Sequence, residues 1–283
     1  MKIINANVEE LIQKPGWLGM LQQIERGGRV CYKSEDKITE DSASKFVSNL
    51  IKRGHYAPLE HGTIYLKIPF NANATAMCLI NFFEKNRFSY TYTIGDYAYI
   101  TTNYRVVIEN EIEEDIEPYI CEKPLKYHRL RKSFLITCDR GISHELVRHR
   151  VMSFNQESTR YINYSKDKWG NEITVVKPCF WNEDDECYLI WKKACEEAEK
   201  NYMKLIESGA RPEEARSVLP NSTKTEVLMT GFMPAGDELG WDHFLSLRYN
   251  KAAHPQAREI ASKIKAFIYP EEKELEKGAI IVV

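Results

Sequence analysis

Basic and polar side chains are concentrated in one short segment of the 283-residue chain, residues 141 to 161. Arg148, His149 and Arg150 stand together, and the stretch from Ser153 to Arg160 is polar at every position but one. An arginine guanidinium stays charged at any working pH and presents a planar fork that fits two phosphate oxygens at once. Hydroxyl groups supply further donors, and amide side chains read the edge of a heterocycle. The cluster therefore indicates recognition of a phosphorylated ligand.

The segment begins with a helical pattern. Glu145 lies three residues before Arg148, so on a helix the two side chains occupy neighbouring faces. We expect this helix to continue to Met152, with Val147 and Val151 four residues apart and facing inward.

A purely structural interpretation of these residues is a surface helix end whose arginines pair with Glu145 and Glu157. The hydroxyl and amide residues that follow Arg150 at close spacing favour the anion pocket instead.

The overall charge counts against a dedicated nucleic-acid binder. The formal net charge is -2 and the sequence lacks the clear basic excess of DNA- and RNA-binding proteins. No stretch approaches the roughly 20 apolar residues that span a bilayer, and residues 1–10 carry charges where a signal peptide needs an apolar run. We therefore expect a cytoplasmic protein with no membrane partner, whose phosphate chemistry depends on a local cluster.

The cysteines predict neither a disulfide framework nor a metal site. There are seven of them, an odd number, and no pair has CxxC spacing. None of them lies in an obviously activating neighbourhood, with Cys138 near Arg140 a weak exception. We expect reduced cysteines and no bound metal.

Strand and helix patterns alternate irregularly along the chain. Helices are expected over residues 8–26 (interrupted near Pro15 and ended by Gly27-Gly28), 41–52, 72–83, 184–207, from Pro212, and 253–267. Strands are expected over residues 62–69, 88–100 with a turn at 95–96, and 133–138, while the acidic residues 109–128 look like an excursion from the core. Without strict βαβ alternation, a GxGxxG motif or a Walker loop, the pattern favours an α+β fold.

The spacing of Arg148-His149-Arg150, then seven residues, then Ser158 resembles the signature of flavin-dependent thymidylate synthases, and the match extends through Ser153, Asn155, Gln156 and Arg160. Further segments resemble the same family in the same order. They are ArgValCysTyr at 29–32, GlyHisTyrAlaProLeuGluHis at 54–61, ArgSerValLeuPro at 216–220, PheLeuSerLeuArg at 244–248 and AlaHisProGln at 253–256. The resemblance covers about residues 20 to 265, with 109–128 poorly matched.

The resemblance implies a single domain over residues 1–283, in which a mainly antiparallel sheet packs with helices. It also implies an activity: reductive methylation of deoxyuridine monophosphate (dUMP) to thymidine monophosphate (dTMP). Methylenetetrahydrofolate would donate the carbon, NADPH would supply electrons through FAD, and the enzyme would be a homotetramer with shared active sites.

The family's functional residues carry over to matching positions. By resemblance, the substrate-binding residues are Glu145, Gln156, Ser158, Arg160, Arg216 and Arg248, and the catalytic set is Arg248 and Ser158. The flavin would be lined by His55, Glu60, Arg148, His149, Arg150, Asn155 and His243. Fixed arginines and amides suit a reaction in which enolate-like charge develops on a pyrimidine ring. Ser158 is interpreted as a phosphate donor, because a serine nucleophile needs an adjacent general base and the spacing offers none.

One region departs from the family pattern. The stretch from Leu228 to Trp241 reads as a longer loop than usual, with Asp237 and Glu238 where many members place Asn and Arg. The sequence leaves open whether this changes FAD binding.

Two other functions fit the anion pocket. One is another nucleotide-processing enzyme, such as a hydrolase or phosphotransferase, and the other is a nucleotide- or RNA-binding module that uses its tyrosines for stacking. Binding of FAD separates both from the flavin enzyme.

Overall fold

The computed structural model of the chain describes residues 1–160 and 162–270. Tyr161 and residues 271–283, the ends of the motif segment and of the expected single domain, lie outside the described residues. The helices, in chain order, are α1 (Gly16–Tyr32), α2 (Ser42–Lys52), α3 (Ala74–Lys85), α4 (Tyr104–Glu109), α5 (Glu113–Ile116), α6 (Arg140–Leu146), α7 (Glu186–Glu207), α8 (Pro212–Ala215), α9 (Trp241–Arg248) and α10 (Pro255–Ile268). Short 3-10 turns cover Glu35–Lys37, Ala57–His61, Glu117–Tyr119, Asp167–Trp169 and Arg216–Val218.

The strands, in chain order, are β1 (Lys2–Ile4), β2 (Asn7–Leu11), β3 (Thr63–Pro69), β4 (Tyr90–Ile94), β5 (Tyr97–Asn103), β6 (Ile120–Cys121), β7 (Arg131–Asp139), β8 (Ser153–Gln156), β9 (Thr174–Val176) and β10 (Lys224–Phe232). Two four-stranded sheets have the orders β2-β7-β10-β8 and β4-β5-β3-β6, and both are antiparallel throughout. The pair β1-β9 is parallel. The predicted α+β class with mainly antiparallel sheets is confirmed.

Each large sheet has its own apolar core. One core lies between the β4-β5-β3-β6 sheet and helices α1 to α4, around Leu59, Leu66 and Phe83. The other lies between the β2-β7-β10-β8 sheet and helices α6, α9 and α10. Trp241 is completely buried there, with its ring edge-on to both Phe134 and Phe244. Most of the residues predicted to carry chemistry lie on β8 or on segments next to the strands of the second sheet, whereas His55 and Glu60 lie between α2 and β3.

Helix α1 differs from its prediction at both ends. Residues 7–11 form β2 rather than a helical turn, because pairing with β7 outweighs the helix propensity of the two glutamates. Gly27 and Gly28 do not end the helix, which continues to Tyr32. A Cβ atom at Gly27 would lie 2.8 Å from Leu228 Cδ2, and one at Gly28 would lie 2.7 Å from Phe46 Cε1. The two glycines therefore allow close packing within the helix.

Two further expectations are wrong. The acidic residues 109–128 are not an excursion, because Ile116 is fully buried in the first core and β6 adds a strand beside β3. The stretch from Leu228 to Trp241 is not loop throughout, since its first five residues belong to β10, which extends to Phe232 and pairs with β7 along its whole length. Only residues 233–240 connect β10 to α9.

The predictions match the observed bounds to within a few residues for α2, α3, β3, the β4-β5 hairpin, β7, α7 and α10, whereas β1, β9, α4 and α9 were not predicted. Among residues 1–160 and 162–270, no helix combines the length and the apolar character that crossing a membrane requires.

Candidate active site

The Arg-His-Arg triplet lies in a turn and not on a helix. Helix α6 is capped by Asp139, whose Oδ1 accepts from the Ile142 N–H at 2.8 Å, and it ends at Leu146. The next residues form turns, with His149 N–H donating to Leu146 O at 3.3 Å. The expected helix to Met152 is therefore wrong, and Val147 is 40 % exposed instead of facing inward.

The polar stretch after the triplet is a strand. Residues Ser153–Gln156 form β8, an edge strand that pairs with β10, and the Ser153 and Asn155 side chains are buried. Successive side chains of a strand point to opposite faces, so Asn155 and Gln156 face opposite sides of the sheet. A basic turn therefore precedes β8, and a second turn, residues 158–160, follows it shortly after. The second is called the 158–160 turn below.

Arg148 and Arg150 are exposed, and within the part of the chain that the structure describes neither forms an ion pair or a side-chain hydrogen bond. The structural interpretation of the sequence paired them with Glu145 and Glu157. Glu145 binds Arg248 instead, and Glu157 binds Lys224. That interpretation is wrong, and within the described residues the N–H donors of both guanidinium groups are not used by another side chain.

Arg248, the last residue of α9, connects the C-terminal half to the triplet. Its Nη1 donates to Glu145 Oε2 at 2.6 Å, and its Nη2 donates to the Glu145 carbonyl at 2.9 Å. Its Nε donates to His149 Nε2 at 3.1 Å. The resemblance assigns Glu145 and Arg248 to the nucleotide and His149 to the flavin, and the structure places Arg248 in direct contact with both other residues.

His149 is neutral at neutral pH. Its side chain is buried, and the rings of His243 and Phe244 lie 5.5 and 5.1 Å from its centroid. Burial, then the positive charge of Arg248, then His243 lower the pKa of His149 to about 4. Because Nε2 accepts from Arg248, the ring proton resides on Nδ1, which is buried and has no hydrogen-bond partner.

The 158–160 turn lies beside Arg216. Arg216 Nη1 donates to Thr159 Oγ1 at 3.3 Å, and Ser158 Oγ accepts from the Arg160 N–H at 3.3 Å. Arg160 is exposed, and its Nε lies 3.6 Å from Glu213 Oε2 on α8. The structure thus brings Ser158, Arg160 and Arg216 together, as the sequence predicted.

The two amides of β8 have different surroundings. Gln156 Nε2 donates to Ser143 Oγ at 2.9 Å and to Thr225 Oγ1 at 3.2 Å, so this amide is fixed to α6 and β10. Asn155 Nδ2 is buried and has no hydrogen-bond partner among residues 1–160 and 162–270. A buried donor without an acceptor is costly, which makes this amide a candidate contact for a bound ligand.

The remaining predicted residues lie near the turn after α2. Glu60 Oε1 accepts from Arg105 Nη1 at 2.7 Å, and its carbonyl accepts from Arg131 Nη2 at 3.0 Å. Arg131 Nη2 also donates to Ser153 Oγ at 3.1 Å, which joins the Glu60 segment to β8. His55 is exposed, and no hydrogen bond or ring contact of its side chain joins it to the other predicted residues within the described chain.

Sequence reasoning missed two buried groups that support this region. His61 is completely buried, and its Nδ1 lies 2.7 Å from Thr230 Oγ1. Burial, followed by the charge of Arg131, lowers the pKa of His61 to about 3. Arg131 itself is desolvated, and burial lowers its pKa to about 10. The only signals in the sequence were a histidine before β3 and an arginine opening an apolar strand.

The lowered pKa of His149 predicts a pH-dependent stability. The pKa is about 4 in the folded chain and about 6.5 in the unfolded chain, so between these values the unfolded chain binds more protons. The free energy of unfolding should therefore fall as the pH drops below 6.5, and His149 should contribute a loss of about 2 kcal/mol by pH 5. Urea unfolding at pH 7, 6 and 5 measures this slope.

His149→Asn should reduce the dependence of the free energy of unfolding on pH but not abolish it. The lowered pKa of His61 causes a second loss of stability in the same direction. The exposed His144 provides the matched control, and His144→Asn should keep the wild-type slope. An unchanged slope in His149→Asn would show that His149 already titrates normally in the folded chain.

The sequence of this chain matches a known protein family. The family described as thymidylate synthase complementing protein matches residues 128–271, just over half of the chain, from β7 to α10. A flavin-dependent thymidylate synthase of Pyrococcus furiosus is 32% identical over 166 residues, which are 58% of this chain and 65% of the relative. One from Thermococcus kodakarensis is 37% identical over 127 residues, 45% of this chain and 49% of the relative. These matches span less than two thirds of the relatives' lengths.

Among solved structures, a UMP/dUMP methylase, PolB from Streptomyces cacaoi, bound with 5-Br dUMP, aligns with a TM-score of 0.43 and 18% identity. The alignment covers 95% of this chain and 93% of that chain, but it is too loose to carry an assignment. The family match rests on the sequence instead. It includes the Arg148-His149-Arg150 turn, Ser158 and Arg248. It confirms the family predicted from the motif spacing: the chain belongs to the thymidylate synthase complementing protein family.

Proposed function

We propose that this protein is a flavin-dependent thymidylate synthase, which converts dUMP to dTMP with methylenetetrahydrofolate as carbon donor and NADPH-reduced FAD as hydride donor. Its matched relatives carry that name. The observation that carries the proposal is the contact of Arg248 with both Glu145 and His149. It joins the C-terminal arginine to the Arg-His-Arg turn, so that a ring held by Arg248 would lie beside the residues proposed for the flavin.

The 158–160 turn is proposed to hold the substrate phosphate. Ser158 contributes a hydroxyl, and Arg160 and Arg216 contribute guanidinium groups that match phosphate oxygens. Arg216 already reaches the turn through Thr159. Within the described residues, no His, Asp or Glu side chain hydrogen-bonds Ser158 Oγ, so nothing activates this serine as a nucleophile. Its role in the catalytic set is to fix the substrate.

The pyrimidine ring is proposed to lie against Arg248, Glu145 and Gln156. Arg248 can polarise a ring carbonyl and stabilise the negative charge that develops when the fifth carbon reacts. Glu145 fixes the orientation of Arg248 through two contacts, so this charge need not reorganise during the reaction. Gln156 is held by Ser143 and Thr225 and can present its free carbonyl oxygen to the ring edge.

The residues proposed for FAD fit such a group. Asn155 Nδ2 and His149 Nδ1 are buried donors without partners, and Arg148 and Arg150 are exposed cations able to bind its phosphates. His55, Glu60 and His243 complete the proposed set, and the contact of His243 with His149 supports its membership. When bound, FAD supplies the redox step, and the protein residues orient the two rings and exclude water.

The first functional prediction concerns the flavin. Purified protein should be yellow or should take up FAD, and the double variant Arg148→Ala/Arg150→Ala should bind it about tenfold more weakly, because two phosphate contacts are lost. Absorbance after desalting and a fluorescence titration measure both. Arg26→Ala is the matched control, since Arg26 forms an exposed pair with Glu9. Wild-type protein that never retains flavin would contradict the proposal in favour of a nucleotide-binding module or a different nucleotide enzyme.

The second concerns the phosphate. Arg160→Ala should weaken dUMP binding by roughly 10²-fold, because a charged contact to the phosphate is removed. FAD content should stay at the wild-type level, since Arg160 is not in the proposed flavin set. Calorimetric titration with dUMP measures the loss, with Arg26→Ala again as the control. Unchanged dUMP affinity would refute the assignment of the 158–160 turn.

The third concerns assembly. We propose a cytoplasmic, single-domain homotetramer with shared active sites, as the family resemblance implies. The exposure of His55, Arg148 and Arg150 on one protomer is consistent with a site completed by another copy. Sedimentation should give a species of four chains of 33.0 kDa. A protein that stays monomeric at micromolar concentration and still turns over dUMP would contradict shared sites.

A further inference from the structure

Two glutamates and two lysines form an ionic network next to the 158–160 turn, and none of the four has a role in the proposed reaction. Lys224 Nζ lies 2.9 Å from Glu157 Oε2 and 2.7 Å from Glu226 Oε1. Lys33 Nζ contacts the other oxygen of Glu226, and it also lies 3.4 Å from Oε1 of Glu35, a carboxylate that is 39% exposed and therefore screened by water. The Glu157 side chain is only 3% exposed, and the other three are between 14% and 16% exposed. Opposite charges at this depth are weakly screened and strongly coupled.

Glu157 also ends the pairing of β8 with β10. Its N–H donates to the Glu226 carbonyl at 2.8 Å, as a further ladder pair would. In a hydrogen-bonded antiparallel pair, the Glu226 N–H would return to the Glu157 carbonyl. It donates instead to the Glu157 carboxylate Oε2 at 3.0 Å. The Glu157 carboxylate thus replaces the Glu157 carbonyl as the acceptor, so the chain can leave the sheet at Ser158.

The same network anchors the turn to α1. Lys33 is the left-handed C-cap of α1, with φ 48°. Ser158 N–H donates to the Cys31 carbonyl at 3.1 Å, two residues before this cap. The ion pair of Lys33 with Glu226 therefore joins β10 to the same helix end that holds Ser158. Burial raises the pKa of Glu157, whereas Lys224 and Lys33 prevail over burial and hold the pKa of Glu226 below its usual value.

The network supports the turn and does not itself offer a nucleotide site. The cavity beside it is about 50 Å³ and is lined by Glu157, Tyr164, Glu172, Thr174 and Lys224. This volume accommodates a water molecule but not a nucleotide.

We propose that Glu157 is a positioning residue for the 158–160 turn, and that Lys224 and Lys33 cancel the charges of Glu157 and Glu226 where a dianionic phosphate must approach. This inference rests on the proposed function, since it assigns the turn to the dUMP phosphate. Without the lysines, two carboxylates next to Ser158 would repel the phosphate that Arg160 and Arg216 attract. Glu157 holds the turn in place, and its negative charge does not repel the phosphate because the lysines neutralise it.

The test compares dUMP with deoxyuridine, which has the same base and sugar but no phosphate. In FAD-saturated protein, Lys224→Met should weaken dUMP binding at least about tenfold and leave deoxyuridine binding unchanged, because an uncompensated carboxylate faces the phosphate alone. The double variant Lys224→Met/Glu157→Gln should recover most of the loss, since it restores the charge balance and keeps an acceptor for the Glu226 N–H. Lys200→Met is the control, because Lys200 forms an exposed pair with Glu197.

A merely structural role would weaken both ligands equally, and an unchanged ratio of dUMP to deoxyuridine affinity in Lys224→Met would overturn the inference. A double variant that binds dUMP no better than Lys224→Met would overturn it as well.

If Lys224→Met does not fold, Glu157→Leu and Glu157→Gln replace it. Leu loses the acceptor and should bind dUMP at least about tenfold more weakly than Gln, and equal dUMP affinities would overturn the inference. Wild-type protein that binds no dUMP would instead refute the proposed function, and this inference with it.

Discussion

The pairing of β10 with its two neighbours is the constraint on which the candidate site depends. β10 pairs along its whole length with β7 on one side and with the four residues of β8 on the other. A four-residue strand spans roughly 13 Å, so β8 holds the Arg-His-Arg turn and the 158–160 turn at a fixed separation. Because β8 lies at the edge of the sheet, both turns leave it without crossing another strand.

Electrostatics at the site depend on how each cation is paired. Arg248 is bound by a carboxylate and a neutral histidine, which fixes its direction. Lys224 forms ion pairs with two carboxylates, so its positive charge is neutralised within the protein. Arg148 and Arg150 have no such partners within the described residues and remain exposed. A chain with a net charge of only -2 can thus present positive charge locally without a basic surface overall.

Two of the predicted flavin residues carry buried polar atoms without hydrogen-bond partners. Within the described residues, six buried side-chain atoms lack a partner, and they include Asn155 Nδ2, His149 Nδ1 and the nearby His61 Nε2. Such groups destabilise a folded chain, and a bound ligand or ordered water that satisfies them would remove that cost. A region of this kind is expected where a polar ligand binds and is unexpected in a core that serves stability alone.

The sequence by itself determined the family, the α+β class, most of the helices, the strands β3, β4, β5 and β7, and the residue types of the candidate site. These depend on local properties: hydrophobic periodicity, capping residues and a gap-free motif from Arg148 to Arg160. Tertiary structure decided what local pattern cannot encode. In the folded chain, α6 ends at Leu146, Ser153–Gln156 form a strand, and α1 continues through Gly27 and Gly28. Pairing with a distant strand or close packing against another element outweighs local propensity at these positions. The contacts of Arg248 with Glu145, and of Lys224 with Glu157, join residues 103 and 67 positions apart, and only folding brings such side chains together.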